Sequence, residues 1–329
     1  DSWNEGQEIE LRLKAYPEYW GGWDGAHYDN YVFRVVPTAT TAAQLLRDGQ
    51  VTFTDRLSPQ LYASFEGQDG FTTASAPSWQ TLLALLNTKS GPLADPTVRQ
   101  ALSYAIDWEG MMVALQGAAT PLSGVVPPGL WGHVDGLEPT FNSTQAIDLL
   151  GQAGYGPNGD PLSITLTYTK GDADEELVAA LMKSDLAKVN VNVDVRGLAW
   201  PTQWAKGKSA DLTERQDIFL FYWWPDYADP YSWFINMFHT EDPPFFNLSY
   251  YSNPFMDKTM QQAEVESAAN RDGAIALYGQ MQDQIAKDMP SLSVYTQQYQ
   301  RVMQSSVQGY VDNPAYPNVV FAYDLTPGS

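Results

Sequence analysis

Between Leu220 and Phe234 the sequence reads Leu-Phe-Tyr-Trp-Trp-Pro-Asp-Tyr-Ala-Asp-Pro-Tyr-Ser-Trp-Phe, an apolar run that breaks into paired tryptophans and then a carboxylate. Asp226 follows Trp223 and Trp224 and precedes Tyr227. A carboxylate walled by aromatic rings can pair with an ammonium group, because the rings exclude water and strengthen the pairing. The same rings can stack on the faces of sugars. A structural reading is also open: a strand end packed under tryptophans, with Asp226 or Asp229 capping the next helix, a role that Asp229 fits better.

Signatures of catalysis are missing. The three histidines, His27, His133 and His239, lack the His-x-x-x-His spacing of a zinc hydrolase. There is no Gly-x-Ser-x-Gly elbow and no phosphate-binding Gly-x-x-x-x-Gly-Lys-Ser/Thr loop. Gly156 and Gly159 precede a strand, the wrong order for a dinucleotide fingerprint. The acidic neighbours Asp172, Asp174, Glu175 and Glu176 read as a solvated face before they read as paired acid and base. With no cysteine in the chain, disulfides, thiolate chemistry and zinc–thiolate sites are excluded. No metal, cofactor or catalytic residue is expected.

The elements that must position the aromatic–aspartate segment alternate between strand and helix. Ile9, Leu11 and Leu13 recur with the period of a half-buried strand, and Tyr31–Val36 is a second strand candidate. A short helix over 40–49 closes on Gly49, and Val51 and Phe53 open another strand. Leu82–Leu86 reads as a buried strand, followed by a helix that Asp95 caps and Pro96 enters, with Val98, Ala101, Leu102, Ala105 and Ile106 as its apolar stripe. Glycine and proline accumulate over 117–136, which predicts a long surface loop. A helix capped by Ser143 or Thr144 follows, then a strand through Leu162, Ile164, Leu166 and Tyr168. A helix over 175–189 leads to a strand through Val191, Val193 and Val195. Ile218–Trp223 is apolar on both faces and reads as a fully buried strand. Helices begin at Pro254, capped by Asn253, and at Arg271, and a last apolar strand spans 292–295.

The 329 residues suggest two lobes. Lys plus Arg number 18 against 39 Asp plus Glu, a net charge of −21, which argues against nucleic acid and against anionic lipid surfaces. No apolar run approaches the ~20 residues of a membrane helix.

Pro92-Leu93-Ala94-Asp95-Pro96-Thr97-Val98-Arg99-Gln100-Ala101-Leu102-Ser103-Tyr104-Ala105-Ile106-Asp107 closely resembles the most recognisable helix of the family 5 extracellular solute-binding proteins, the oligopeptide- and dipeptide-binding group. Tyr19-Trp20-Gly21-Gly22, Asn87-Thr88-Lys89 and Pro127-Pro128-Gly129-Leu130-Trp131 resemble that family too, in order and over nearly the whole chain. The stretch Trp223 to Pro230 looks like its aromatic–aspartate ligand motif.

The resemblance implies an α/β fold of the two-lobed periplasmic-binding type (type II) with a discontinuous first lobe. Residues 1–87 would form part of the first lobe and 88–294 the second, with 295–329 returning to the first. The chain, opening on Asp1-Ser2-Trp3-Asn4, would lack the family's N-terminal part and its signal sequence. It implies an extracytoplasmic binding protein, not an enzyme, and a monomer. Such a protein captures short peptides in the cleft between lobes and hands them to the permease of an ABC importer. By the same resemblance Asp226 receives a peptide's α-amino group and Trp223 lines its pocket. Trp224 and Tyr227 stand beside them, and Trp79 and Gln80 match a cleft position. The family's Arg or His for the peptide carboxylate is not matched; Lys206 and Lys208 lie nearby. An oligosaccharide is the alternative ligand, favoured by 11 Trp and 19 Tyr. A carboxylate-based hydrolase is the alternative of another class. A nickel ion held by protein side chains is disfavoured, although a nickel chelate escapes that argument.

Overall fold

A computed structural model describes residues 10–157, 159–317 and 320–328. The chain divides into two compact units, one of residues up to Pro77 together with those from Gln298 onward, the other Ser78–Gln297.

In the first unit β1 (Glu10–Lys14) and β2 (Asn30–Arg34) form an antiparallel ribbon with Leu11 opposite Phe33 and Leu13 opposite Tyr31. The alternation predicts that this strand is half buried; Leu11 and Leu13 are instead exposed, because a two-stranded ribbon offers no second layer to cover them. Ile9 lies outside the described residues. Thr38 caps α1 (Ala39–Arg47) by accepting from the Thr41 amide, and Gly49 follows the helix with φ +68°, the left-handed conformation that ends many helices. After β3 (Phe53–Thr54) and α2 (Pro59–Ala63), β4 (Phe71–Leu86) runs out of this unit. Sequence patterning shows only its last five residues as strand. The earlier part is polar and contains Pro77, which breaks the apolar pattern. The units therefore divide inside a strand, at Pro77–Ser78 and at Gln297–Gln298, whereas the crossings were expected at Asn87 and Tyr295.

The second unit carries α3 (Pro96–Ala105), α4 (Trp108–Ala114), β5 (Ala119–Thr120), α5 (Ser143–Gln152), β6 (Leu162–Thr169), α6 (Ala173–Ala187), β7 (Val191–Leu198), α7 (Trp200–Gly207), β8 (Ile218–Trp223), α8 (Tyr231–Met237), α9 (Pro254–Ala269) and α10 (Arg271–Asp288). It ends within β9 (Ser291–Gln304), which returns the chain to the first unit, where β10 (Val307–Gln308) and β11 (Thr326–Pro327) pair. In the second unit β4 lies between β9 and β8, followed by β6 and β7. β6 is parallel to β7 and β8, and β4 is antiparallel to β8 with Thr81 opposite Trp223 and Leu86 opposite Ile218.

Strand alternation sorts the core into two layers. Leu82, Ala84 and Leu86 of β4 and Ile218, Leu220 and Tyr222 of β8 meet α3, α5 and α6. Leu83, Leu85, Phe219, Phe221 and Trp223 meet α8, α9 and α10. The helix caps follow from short polar side chains. Asp95 accepts from the Thr97 amide, Asn253 from Phe255, and Asn142 from Gln145, so that Asn142 and not Ser143 or Thr144 caps α5.

The expected surface loop over 117–136 is a correction. Leu122, Val125, Val126 and Leu130 are buried in the second layer. An irregular backbone can be buried only if its polar groups are paired. Here fully buried Gln282 of α10 pairs them, accepting from the amides of Val125 and Val126 and donating to the Gly132 carbonyl.

Leu85→Ala, at a fully buried position of the central strand, should cost about 2–5 kcal/mol of stability in a urea titration. Val113→Ala, at a position 77% exposed, should stay within about 0.5 kcal/mol.

Candidate functional site

The carboxyl end of β8 is where burial stops. Trp223 is 8% exposed and Trp224, one residue on, 39%. Trp223 is anchored from three directions. Thr81 of β4 lies opposite it, the Trp233 indole N–H donates to Thr81 Oγ1 at 3.0 Å, and the Phe246 ring meets the Trp223 ring edge-on at 5.1 Å. Its own Nε1 donates to Ser232 Oγ at 3.1 Å, and Ser232 Oγ in turn donates to Asp226 Oδ2 at 3.4 Å. Ser232 is 1% exposed and belongs to the first turn of α8, so this hydroxyl ties the strand end, the helix start and the carboxylate together.

The two aspartates of the turn have different roles. Asp229 Oδ1 accepts from the Tyr231 amide at the start of α8 (2.9 Å) and from the hydroxyl of buried Tyr278 (3.1 Å), so it is a structural group that holds the turn. Asp226 is exposed and makes no ion pair among the described residues. The turn is supported from below by Trp131, whose Nε1 donates to the Ala228 carbonyl at 2.9 Å. Gly132, at φ +82°, passes so close to Pro230 that a Cβ would stand 3.0 Å from its Cγ. The field here is negative. Burial, reinforced by the charges of Asp229, Asp226 and Glu264, holds the phenol of Tyr227 above its ordinary range. Burial and then Glu264 push the phenol of Tyr231 up to about 12.

Trp79 and Gln80 do not act together. Trp79 is partly buried in the layer that contains Trp223, next to Gly129. Gln80, 4% exposed, lies one residue further along β4 and so on the face shared by Leu82 and Ala84. A strand cannot present adjacent side chains to one side. The structure thus gathers Trp79, Trp223 and Asp226 on one side of the sheet and separates Gln80 from them; Trp224 and Tyr227 stand exposed beside Asp226.

Sequence reading missed an aromatic row beside Trp223. In α7, Trp200 and Trp204 sit one turn apart with ring centroids at 5.2 Å. Trp200 stacks parallel to Phe221 at 5.9 Å, and Trp204 meets Phe245 at 5.8 Å and Phe246 at 5.4 Å. The Lys208 ammonium rests over the rings of Trp204 (5.0 Å) and Phe245 (4.5 Å) and forms no ion pair among the described residues. The Trp-x-x-x-Trp spacing of residues 200 and 204 was the available signal; nothing in the sequence placed Phe245 and Phe246 next to it. Among the described residues no group of three or more His, Cys, Asp or Glu could hold a metal ion. Among the described residues no helix is long and apolar enough to cross a membrane.

The family model described as bacterial extracellular solute-binding proteins, family 5 Middle, matches residues 1–245. The chain is 26% identical over 325 residues to the probable D,D-dipeptide-binding periplasmic protein DdpA of Escherichia coli (strain K12), covering 97% of this chain and 60% of that protein. It is 25% identical over 327 residues to the glutathione-binding protein GsiB of Pectobacterium atrosepticum, covering 98% of this chain and 62% of that protein. Its fold matches the periplasmic binding protein DppA from Helicobacter pylori, solved in complex with peptide STSA, with a TM-score of 0.88 at 23% identity, over 100% of this chain and 62% of that one. The α/β fold expected from the sequence is thus that of the two-lobed periplasmic binding proteins. The chain spans less than two thirds of the length of these relatives.

Replacing Ser232 with alanine leaves the Trp223 indole N–H without its acceptor in a buried place. Ser232→Ala should therefore cost about 1–3 kcal/mol in a urea titration, with the intrinsic tryptophan emission altered in the folded state.

Proposed function

The chain belongs to the family 5 bacterial extracellular solute-binding proteins, and on that premise we propose that it captures short peptides outside the cytoplasm and delivers them to the permease of an ABC importer. It works in this reading as a monomer that returns its ligand unchanged, with each compact unit forming one lobe. The relatives named for dipeptides and glutathione, and the neighbour solved with a tetrapeptide, support a peptide as ligand.

The observation that carries the reading is a pair of opposite charges left without counter-ions beside one row of rings. Asp226 and Lys208 make no ion pair among the described residues, and Trp223, Phe246, Phe245 and Trp204 run between them in ring-to-ring contact. A zwitterionic peptide supplies an ammonium for the first and a carboxylate for the second, while the rings cover its backbone and side chains. A neutral oligosaccharide could stack on the rings and hydrogen-bond to both side chains but offers neither an ammonium nor a carboxylate to pair with them, so the two unpaired charges favour the peptide. In a chain with 39 Asp and Glu against 18 Lys and Arg, a half-buried lysine that makes no ion pair among the described residues is available to a ligand's carboxylate.

Calorimetric titration with tripeptides, their N-acetylated forms and their C-terminal amides tests this. Asp226→Ala should weaken free peptides more than tenfold, since losing one partner of a desolvated charged pair costs about 2–5 kcal/mol, and it should leave the N-acetylated forms unaffected. Lys208→Met should do the same for the carboxylate end. Trp223→Ala should weaken every form through lost ring contact. If Asp226→Ala and Lys208→Met bind all ligands as the unaltered protein does while Trp223→Ala abolishes binding, the ligand is held by stacking and an oligosaccharide takes the peptide's place. Hydrolysis of the bound peptide would remove the carrier reading altogether.

A further inference from the structure

The segment 238–253 forms no helix or strand, yet two rings of the aromatic row, Phe245 and Phe246, stand on it. Its base is tied by Asn247, 1% exposed, whose Nδ2 donates to the His239 and Tyr251 carbonyls at 2.8 Å each and whose Oδ1 accepts from Ser249 Oγ and the Tyr251 amide. Its crest is tied by Glu241, whose Oε2 accepts from the Phe245 amide at 2.6 Å and from the Asn247 amide at 3.1 Å. A carboxylate receiving two backbone amides makes charge-assisted bonds, stronger than neutral ones. Phe245 is 50% exposed, so ring packing alone does not hold it: it touches Phe246 at 4.5 Å, Trp204 at 5.8 Å and the Lys208 ammonium at 4.5 Å.

We propose that Glu241 is a positioning residue that sets specificity for the anionic end of the ligand, by holding Phe245 over Lys208 through these two amides. The inference rests on the reading that Lys208 meets a carboxylate. A lysine stem is flexible, and its ammonium is placed only by what it packs against. Trp204 supplies one face from a helix, which is rigid. Phe245 supplies the other from a loop whose crest is fixed by one side chain. Without Glu241 the two amides turn to water and Phe245 leaves Lys208, so that the ammonium is no longer preorganised. Glutamine at 241 keeps an oxygen that accepts both amides; alanine keeps nothing, and aspartate falls one methylene short.

Two readouts test this. In the ligand-free protein, the rate at which an amine-specific reagent labels Lys208, followed by peptide mass spectrometry, should rise severalfold in Glu241→Ala and stay near the unaltered rate in Glu241→Gln. In binding, the preference for trialanine over its C-terminal amide should fall about tenfold in Glu241→Ala and be retained in Glu241→Gln, while the preference for trialanine over N-acetyl-trialanine is unchanged in both. Phe245→Ala should reproduce the loss, and adding it to Glu241→Ala should cause no further change. Should the alanine variant fail to fold, Glu241→Asp carries the same comparisons. Labelling and preference unchanged in Glu241→Ala, or lost equally in Glu241→Gln, overturns the proposal. If the unaltered protein shows no preference for a free carboxylate, it is the ligand reading of Lys208 that fails, and the labelling result still decides whether Glu241 positions Phe245.

Discussion

A strand with no polar position has to be covered on both faces. Every residue of β8 is buried, and its neighbour β4 is equally apolar over Leu82–Leu86. That single demand organises the second unit: α3, α5 and α6 cover one side, α8, α9 and α10 the other. It also decides which side chains near the strand end reach solvent. Along β8 no side chain is available until the strand escapes the helices, and the first to emerge are Trp224 and Asp226. α/β sheets commonly bind beyond the carboxyl ends of their strands, and the binding site proposed above stands where the burial of β8 ends.

The turn after β8 is held by groups that do not consume its charge. Trp223 and Ser232 place Asp226 through hydrogen bonds, and Asp229 takes the structural load by bonding Tyr231 and Tyr278. Lys208 is placed by ring faces and not by a carboxylate. An ion pair would have fixed either side chain as well, but would have removed the unpaired charge on which the proposed peptide binding rests. Preorganisation by neutral partners leaves both charges unpaired, and half-buried Lys208 is also partly shielded from water, which strengthens a charged hydrogen bond.

The buried connection over 117–136 supports the same turn. Its Trp131 supports the turn through the Ala228 carbonyl, its Gly132 lets Pro230 approach, and its Gly129 packs next to Trp79. One glutamine on α10, Gln282, makes the burial of this irregular stretch tolerable by pairing its amides and a carbonyl. A surface loop could not have provided a firm floor.

What the sequence by itself determined was local or periodic. The doubly apolar run of Ile218–Trp223, the caps at Asp95 and Asn253, the β–α alternation and the aromatic–aspartate turn are legible because strand period, cap chemistry and residue type act over a few neighbouring positions. Tertiary structure decided what depends on partners far along the chain. It extended β4 back through Pro77 to Phe71. It drew 117–136 inward against Gln282, and left Leu11 and Leu13 uncovered on a ribbon with no second layer. It divided Trp79 from Gln80 by the alternation of a strand that the local pattern did not reveal. It also brought Phe245 and Phe246 to Trp204, Trp223 and Lys208 by folding a loop with no period of its own. In such a loop the deciding contacts, Glu241 and Asn247 with backbone amides and carbonyls, are made by side chains whose partners no spacing rule specifies.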